Sequence, residues 1–252
     1  MERQTLMWYM GGKHRQSKAI AAYLKSVGTG FRYCEPFCGS MSSAVRVIAE
    51  CSPQEVRLYD INRPLMLLWQ RLVAGRVILP RLVSDADYRR FSQRRDPDDP
   101  LTAWYGIAVS FGGKWFGGLA RHSRVHAARY DFTPQVNSTM RKVVTLRSAQ
   151  RLRLAACDYW AAISQLREFV LYLDPPYADR TKAHHFDSFD TPLFWDRVRQ
   201  MSQRNVICTS CFDCPADFQT VHEWGNTVVS YHTAPHQNCT NEKLVVWKPR
   251  RS

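Results

Sequence analysis

The sequence has no run of eighteen or more uninterrupted apolar residues, so nothing in it reads as a membrane span. Its first residues, MERQTLMWYMGGKHRQ, lack the basic-then-apolar order of an export signal, and the expectation is a cytoplasmic protein, in a bacterial cell or a phage-infected host. It contains no internal repeat and no low-complexity linker. Acid is scarce: 22 Asp and Glu stand against 35 Lys and Arg, a formal net charge of +13. The deficit concentrates between Phe111 and Arg151, where Lys114, Arg121, Arg124, Arg129, Arg141, Lys142, Arg147 and Arg151 face the single acid Asp131. Such a field attracts polyanions, because each phosphate neutralised releases a condensed counterion. Trp115, Phe116 and Tyr130 stand among these bases, a mixture that points to nucleic acid and not only to a solvated face.

What is present is enough apolar material, 45% of 252 residues, for one large domain or a core domain carrying a smaller module. Seven short apolar runs, β-branched or aromatic and bounded by turns, read as strands: FRYCEPF from Phe31, EVRLYD from Glu55, LRLAACD from Leu152, EFVLYLD from Glu168, NVICTS from Asn205, NTVVSYH from Asn226 and EKLVVWK from Glu242. Helical patterns SSAVRVIAE, RPLMLLWQRLVAG and TPLFWDRVRQMSQR lie between several of them. The alternation predicts an α/β, Rossmann-like, seven-stranded and mainly parallel sheet covered on both faces. With no helix pattern between the last two runs, an antiparallel hairpin is expected at one edge. Residues 72–150 interrupt the alternation; arginine-rich, with the turn cluster DPDDP and the tract FGGKWFGG, they read as an inserted and mostly helical module between 1–71 and 151–252. The glycine pairs of that tract serve turns or allow a ligand close to the backbone.

Eight cysteines in a cytoplasmic chain do not form a disulfide framework. Cys208, Cys211 and Cys214 of CTSCFDC have metal-like spacing, and Cys239 or His236 could complete four ligands. Against that, the stretch lacks knuckle glycines and Cys208 fits a buried strand position, so no metal is assigned.

Open α/β sheets bind ligands beyond the carboxyl ends of their strands. The first strand ends in EPFCGS, placing Glu35, Phe37 and Gly39 at a strand-to-helix turn; the second ends with Asp60, where an acid can accept both ribose hydroxyls. The third ends with Asp158 and Tyr159, fitted to an adenine amino group and its ring. Each acid alone also reads as a helix N-cap, but three in successive strands describe a nucleoside pocket. The fourth strand stops on Asp174, Pro175, Pro176 and Tyr177. Both prolines have fixed φ and no N–H, and Asp174 is pushed out of the helical region by the proline that follows it. A carboxylate, a rigid carbonyl and a flat ring together suit an exocyclic amino group on a stacked base.

The blocks YMGGK, EPFCG, YDIN, DPPY and NEKLVVWKP, in that order with the insertion before DPPY, resemble the Dam-type (D12 class, α arrangement) DNA adenine N6-methyltransferases over nearly the whole chain. The resemblance implies transfer of a methyl group from S-adenosylmethionine to adenine N6 in double-stranded DNA, on a base flipped from the helix. It implies that Asp174, Pro175, Pro176 and Tyr177 are catalytic, and that Tyr9, Lys13, Glu35, Phe37, Gly39, Asp60, Asp158, Tyr159 and Asp174 meet the cofactor. The insertion becomes the target-recognition module, with Lys114, Arg121 and Arg124 as its DNA contacts. The stretch ADRTKAHHFDSF reads as a loop closing on the target strand. Met41 stands where the family has a glycine or small residue, and Tyr9 and Met10 where many members have Trp and Ala. The resemblance leaves the target sequence open, as it does the choice between a solitary enzyme and one paired with a nuclease; a monomer or weak dimer with no membrane association is expected. Rival readings are N4-cytosine methylation, disfavoured by the Asp of DPPY, RNA methylation, and a nucleic-acid-binding relative that has lost transfer.

Overall fold

The structure is a computed structural model, which describes residues 12–121, 124–126 (main chain), 129–176, 189–225 and 241–248. Helix α1 (Ser17–Val27) leads into β1 (Arg32–Glu35), α2 (Ser42–Cys51), β2 (Glu55–Asp60) and α3 (Arg63–Val73). The insertion contributes β3 (Leu82–Ser84), α4 (Asp85–Arg94) and α5 (Leu101–Ala103), which runs into a π-helical turn over Trp104–Ala108 and a 3-10 turn over Phe111–Gly113. It closes with β4 (Arg124–His126), β5 (Arg129–Asp131) and α6 (Thr133–Ser148). Alternation then resumes with β6 (Leu152–Ala156), α7 (Tyr159–Ile163), β7 (Phe169–Leu173), α8 (Thr191–Ser202), β8 (Val206–Cys211), β9 (Phe218–Trp224) and β10 (Glu242–Trp247).

Seven strands form one sheet in the order β6-β2-β1-β7-β8-β10-β9. The first five run parallel, and β10 pairs antiparallel with both β8 and β9. The Rossmann-like α/β sheet with an antiparallel edge is thus the one expected. The edge strand among the described residues is Phe218–Trp224, a stretch not expected as a strand, and the run from Asn226 lies outside the described residues. FQTVHEW is exposed at most positions, as an edge strand tolerates, and its polar residues hide it from a search for apolar runs. The insertion is mostly helical but also holds an antiparallel sheet, β3-β5-β4. Its strands are three residues each, too short to show a period in the sequence.

Both sheet faces are covered, and the period of two sorts the side chains between them. Tyr33, Val170, Tyr172 and Cys208 pack on one face with Ile20, Leu24, Val47 and Trp69. Cys34, Phe169, Leu171, Leu173, Ile207 and Cys211 pack on the other with Ile163, Phe194 and Val198. All five residues of β7 are buried, which is why FVLYL shows no alternation. Helices begin where side chains cap them: Asn62 accepts from Leu65 N–H at 3.1 Å, and Asp190 from Leu193 N–H at 2.9 Å, each with a proline in the first turn. Ser84 and Asp87 form a capping box on α4. The insertion joins the first core: Leu79, Val83, Phe91, Trp104 and Phe132 belong to the same buried cluster as Ile20 and Trp69.

Candidate active site

Strand order reverses between β1 and β7, and ligands of open α/β sheets bind at such a switch point, outside the carboxyl ends. Glu35 ends β1, and Asp174 follows β7 directly. The turn after β1 is tied to its neighbour strand: Cys38 N–H donates to Tyr59 O at 2.9 Å and Gly39 N–H to Asp60 Oδ2 at 2.9 Å. Asp60 Oδ1 accepts from Asn62 N–H at 2.9 Å, and Trp69 Nε1 donates to the Gly39 carbonyl at 3.1 Å. Asp60 therefore fixes both turns at once and, among the described residues, keeps one acceptor position on each oxygen. Met41, at the end of this turn, has φ 62 and is fully buried. That left-handed backbone is what favours glycine there.

Asp174 is held from across the sheet. Lys13 Nζ lies 2.7 Å from Asp174 Oδ1 and 3.3 Å from Glu242 Oε1, and Gln16 Nε2 donates to Glu242 Oε2 at 2.9 Å. Burial pulls the Lys13 ammonium down, but Asp174 and then Glu242 more than offset this, and its pKa is raised. Lys13, expected at the cofactor, thus sits on the carboxylate of the Asp-Pro-Pro turn. Glu242 was not foreseen as a site residue. Because β10 runs antiparallel to β8, its first residue arrives at the edge where the parallel strands end. A buried Glu opening an apolar strand was the available signal.

Glu35 turns inward, accepting from Tyr33 Oη at 2.8 Å and from Ser43 Oγ. Desolvation pushes its carboxyl up to about 8; the bonds from Ser43 and Tyr33 act the other way, while Asp174 and Asp60 add to the rise. Asp60 is raised as well, by burial first and with Asp174 contributing. The three acids are thus within electrostatic reach of one another.

Asp158 caps α7, its Oδ1 accepting from Trp160 N–H at 2.9 Å and Ala161 N–H at 3.3 Å. The Tyr159 ring stacks on Phe37 with centroids 5.2 Å apart, beside Phe189 and Phe194, and its hydroxyl accepts from Arg197 Nη1 at 2.9 Å. Phe37, Asp158 and Tyr159 therefore stand together at the β1 and β6 strand ends. Tyr9 and Tyr177, and the stretch ADRTKAHHFDSF apart from its last residue, lie outside the described residues.

The basic insertion is arranged differently from its sequence reading. Trp115 and Phe116 are partly buried against the core, and the Trp115 ring lies on Gly106, so neither is a free stacking surface for bases. The glycines of FGGKWFGG make turns: Gly112 and Gly118 have φ 63 and 101, and Phe111 N–H donates to Gly118 O at 2.7 Å. Lys114 is exposed. Arg121, also exposed, pairs with Asp85 at 2.7 Å, a surface contact weak enough to exchange for a phosphate. Arg124 lies in β4, and its side chain is outside the description. Cys208 and Cys211 point to opposite faces of the sheet, so from β8 they cannot share one ion.

A comparison with curated proteins returned no match. Among solved structures, similarity extends to a putative methyltransferase, yhhF from Escherichia coli, at TM-score 0.41 and 9% identity, covering 94% of this chain and 88% of that one. It extends also to the rRNA methyltransferase aviRa from Streptomyces viridochromogenes, at TM-score 0.43 and 14% identity, covering 92% and 84%. Residues 9–99, which hold Lys13, the turn after β1 and Asp60, match the family model described as D12 class N6 adenine-specific DNA methyltransferase; the segment ends before Asp174. That segment is thus similar to the D12 class N6 adenine-specific DNA methyltransferases, and the match supports a methyltransferase.

Proposed function

We propose that this chain transfers a methyl group from S-adenosylmethionine to the N6 amino group of adenine in double-stranded DNA, on a base rotated out of the helix. The observation that carries this reading is the Asp174-Pro175-Pro176 turn at the end of the central strand, its carboxylate fixed by Lys13 at 2.7 Å beside the β1 turn. The site suits the cofactor. Glu35, Asp60 and Asp174 concentrate acidic groups where a ligand carrying a sulfonium and an ammonium would be welcome. Asp60 has acceptor positions for ribose hydroxyls, and Phe37, Asp158 and Tyr159 offer an aromatic surface with an adjoining carboxylate for the adenine.

Bound S-adenosylmethionine supplies a methyl group activated on sulfur. The chain has to present the nucleophile. An adenine amino lone pair is delocalised into its ring; Asp174 and the carbonyl of Pro175, each accepting one N–H, favour a tetrahedral nitrogen whose lone pair is directed at the methyl group. The gain is positioning and stabilisation of developing positive charge; as the nitrogen–methyl bond forms the methyl–sulfur bond breaks, leaving a thioether, and one amino proton departs afterwards. Lys13 compensates the Asp174 carboxylate while no amine is bound and fixes its rotamer. Within a duplex the amino group cannot reach the turn, so the base must leave the stack at a cost of a few kcal/mol, offset by pocket contacts. Tyr177 is assigned to stack on it, and Tyr9 to line the cofactor pocket. Residues 72–150 are assigned to reading the target, with Lys114, Arg121 and Arg124 on the DNA.

The test is nucleoside mass spectrometry of plasmid DNA from a methylation-deficient host expressing the parent or Asp174→Ala. N6-methyladenine is expected with the parent and at least a hundredfold less with the variant, while the purified variant still binds S-adenosylmethionine. N4-methylcytosine in place of N6-methyladenine would overturn the base assignment, and equal methylation by the variant would remove Asp174 from the mechanism.

A further inference from the structure

Lys142 of α6 is 7% exposed, and its ammonium donates to the Ser40 carbonyl at 2.6 Å and to Ser42 Oγ at 3.0 Å. An ammonium has three N–H donors, and among the described residues these two neutral oxygens are its only hydrogen-bond acceptors and no carboxylate forms an ion pair with it. A buried cation without a counter-ion is costly, which is why such groups are paired or ligand-bound. Lys142 borders a cavity of about 200 Å³ between α2 and α6, closed at one end by the start of α1. His14, Arg46 and Arg141 also line it, and none of the described lining residues is acidic. Arg46 is shared with Glu50 at 3.1 Å, whereas Arg141 is exposed and has no carboxylate partner among the described residues.

We infer that this cavity is an anion site that takes a backbone phosphate of the nucleic-acid substrate, with Lys142 as its buried cation and Arg141 at its mouth. Two further observations fit. Burial pushes Lys142 down to about 8, and the only opposing influence is the more distant Glu35, which makes no ion pair with it. Partial desolvation, then Lys142, Arg46 and Arg15, lowers His14, so a bound anion would favour its protonated form. The cavity also adjoins the reaction centre in sequence and in space. His14 follows Lys13, and Ser42 lies one residue from Ser43, the donor to Glu35. A phosphate seated here would set the strand's position relative to Asp174. The assignment rests on the nucleic-acid reading, since a free phosphorylated molecule offers the same chemistry.

The experiment compares duplex binding by the full-length parent, Arg141→Ala and Lys142→Met over a series of salt concentrations, with S-adenosylmethionine binding as the fold control. One lost phosphate contact should lower the slope of log K against log salt by about 0.9. That decrease is expected for both variants. Lys142 is decisive because a buried lysine affects the slope only if a phosphate enters the cavity; if Lys142→Met does not fold, Arg46→Ala replaces it. A parent slope retained in Arg141→Ala and in the second variant overturns the site and leaves the methyltransferase reading intact. Thermal unfolding in inorganic phosphate against chloride at equal ionic strength separates the sources. Phosphate stabilisation that Lys142→Met abolishes, with no duplex binding by the parent, overturns the nucleic-acid source together with the DNA reading and assigns a free phosphorylated ligand.

Discussion

Lys13 occupies the centre of the site because it is a buried cation between the half-buried Asp174 and the buried Glu242. Removing one partner of a buried ion pair leaves an uncompensated charge, at about 3–5 kcal/mol. Lys13→Met should therefore lower unfolding free energy by that order in urea and reduce methyl transfer together with it; a variant as stable as the parent would show that the ammonium is not what keeps these acids buried. Glu35 carries the opposite kind of signature. Its folded value, about 8, lies above the ordinary 4.5, so the folded chain holds the proton more tightly. The stability this brings is complete below about 4.5 and lost as pH rises through about 8. Thermal midpoints recorded from pH 5 to 9 should fall less steeply for Glu35→Gln than for the parent, and parallel curves would remove Glu35 as the cause. Met41 shows how two effects compete at one residue. Left-handed backbone costs roughly 1–2 kcal/mol, but deleting a buried methionine side chain costs about 2–5 kcal/mol, so the fully buried Met41 is kept against its backbone preference.

At the scale of elements, two features place side chains. The antiparallel β10 delivers Glu242 to the carboxyl edge of the parallel strands, which a sixth parallel strand would not do. The tract FGGKWFGG folds back onto the π-helical turn, with Phe116 N–H on Gly106 O at 2.8 Å and the Trp115 ring over Gly106. A Cβ at Gly106 would meet that ring at 2.8 Å. Gly106→Ala should accordingly destabilise by about 1–3 kcal/mol through overpacking. Calorimetry of Gly106→Ala, Trp115→Leu and the double variant tests this: the double variant should recover part of the loss, because residues in contact are non-additive, whereas strict additivity would place the strain elsewhere.

Across the whole molecule, residues 72–150 are anchored to the sheet layer from the middle and the C-terminal end of α6. Lys142 reaches Ser40 and Ser42 in the turn after β1, and Arg147 donates to the carbonyls of Val73 and Leu72 at 2.8 and 3.0 Å. The apolar residues of this segment share the core of the first sheet face. Residues 72–150 are thereby connected to the turn that carries Gly39 through packed and hydrogen-bonded contacts. The net charge of +13 supplies sequence-independent attraction to a polyanion, while the placement of single cations decides which of them meet phosphate.

Local chemistry fixed the parallel strands, their order along the chain and the acids at their ends, because apolar runs, proline and helix caps act over a few neighbouring residues. EVRLYD and FVLYL form strands, and Asn62 and Asp190 cap helices, as those residues dictate. The same locality explains what stayed hidden. Phe218–Trp224 is polar enough to pass for loop, and the three-residue strands of the insertion carry no period. Only the tertiary structure set Lys13 against Asp174 and Glu242, turned Glu35 toward Ser43 and brought Lys142 to Ser40, since these partners are separated by up to 229 positions in sequence (242 less 13). Such pairings are chosen by burial, which forces a charge to find a partner wherever the fold places one, and not by residue spacing.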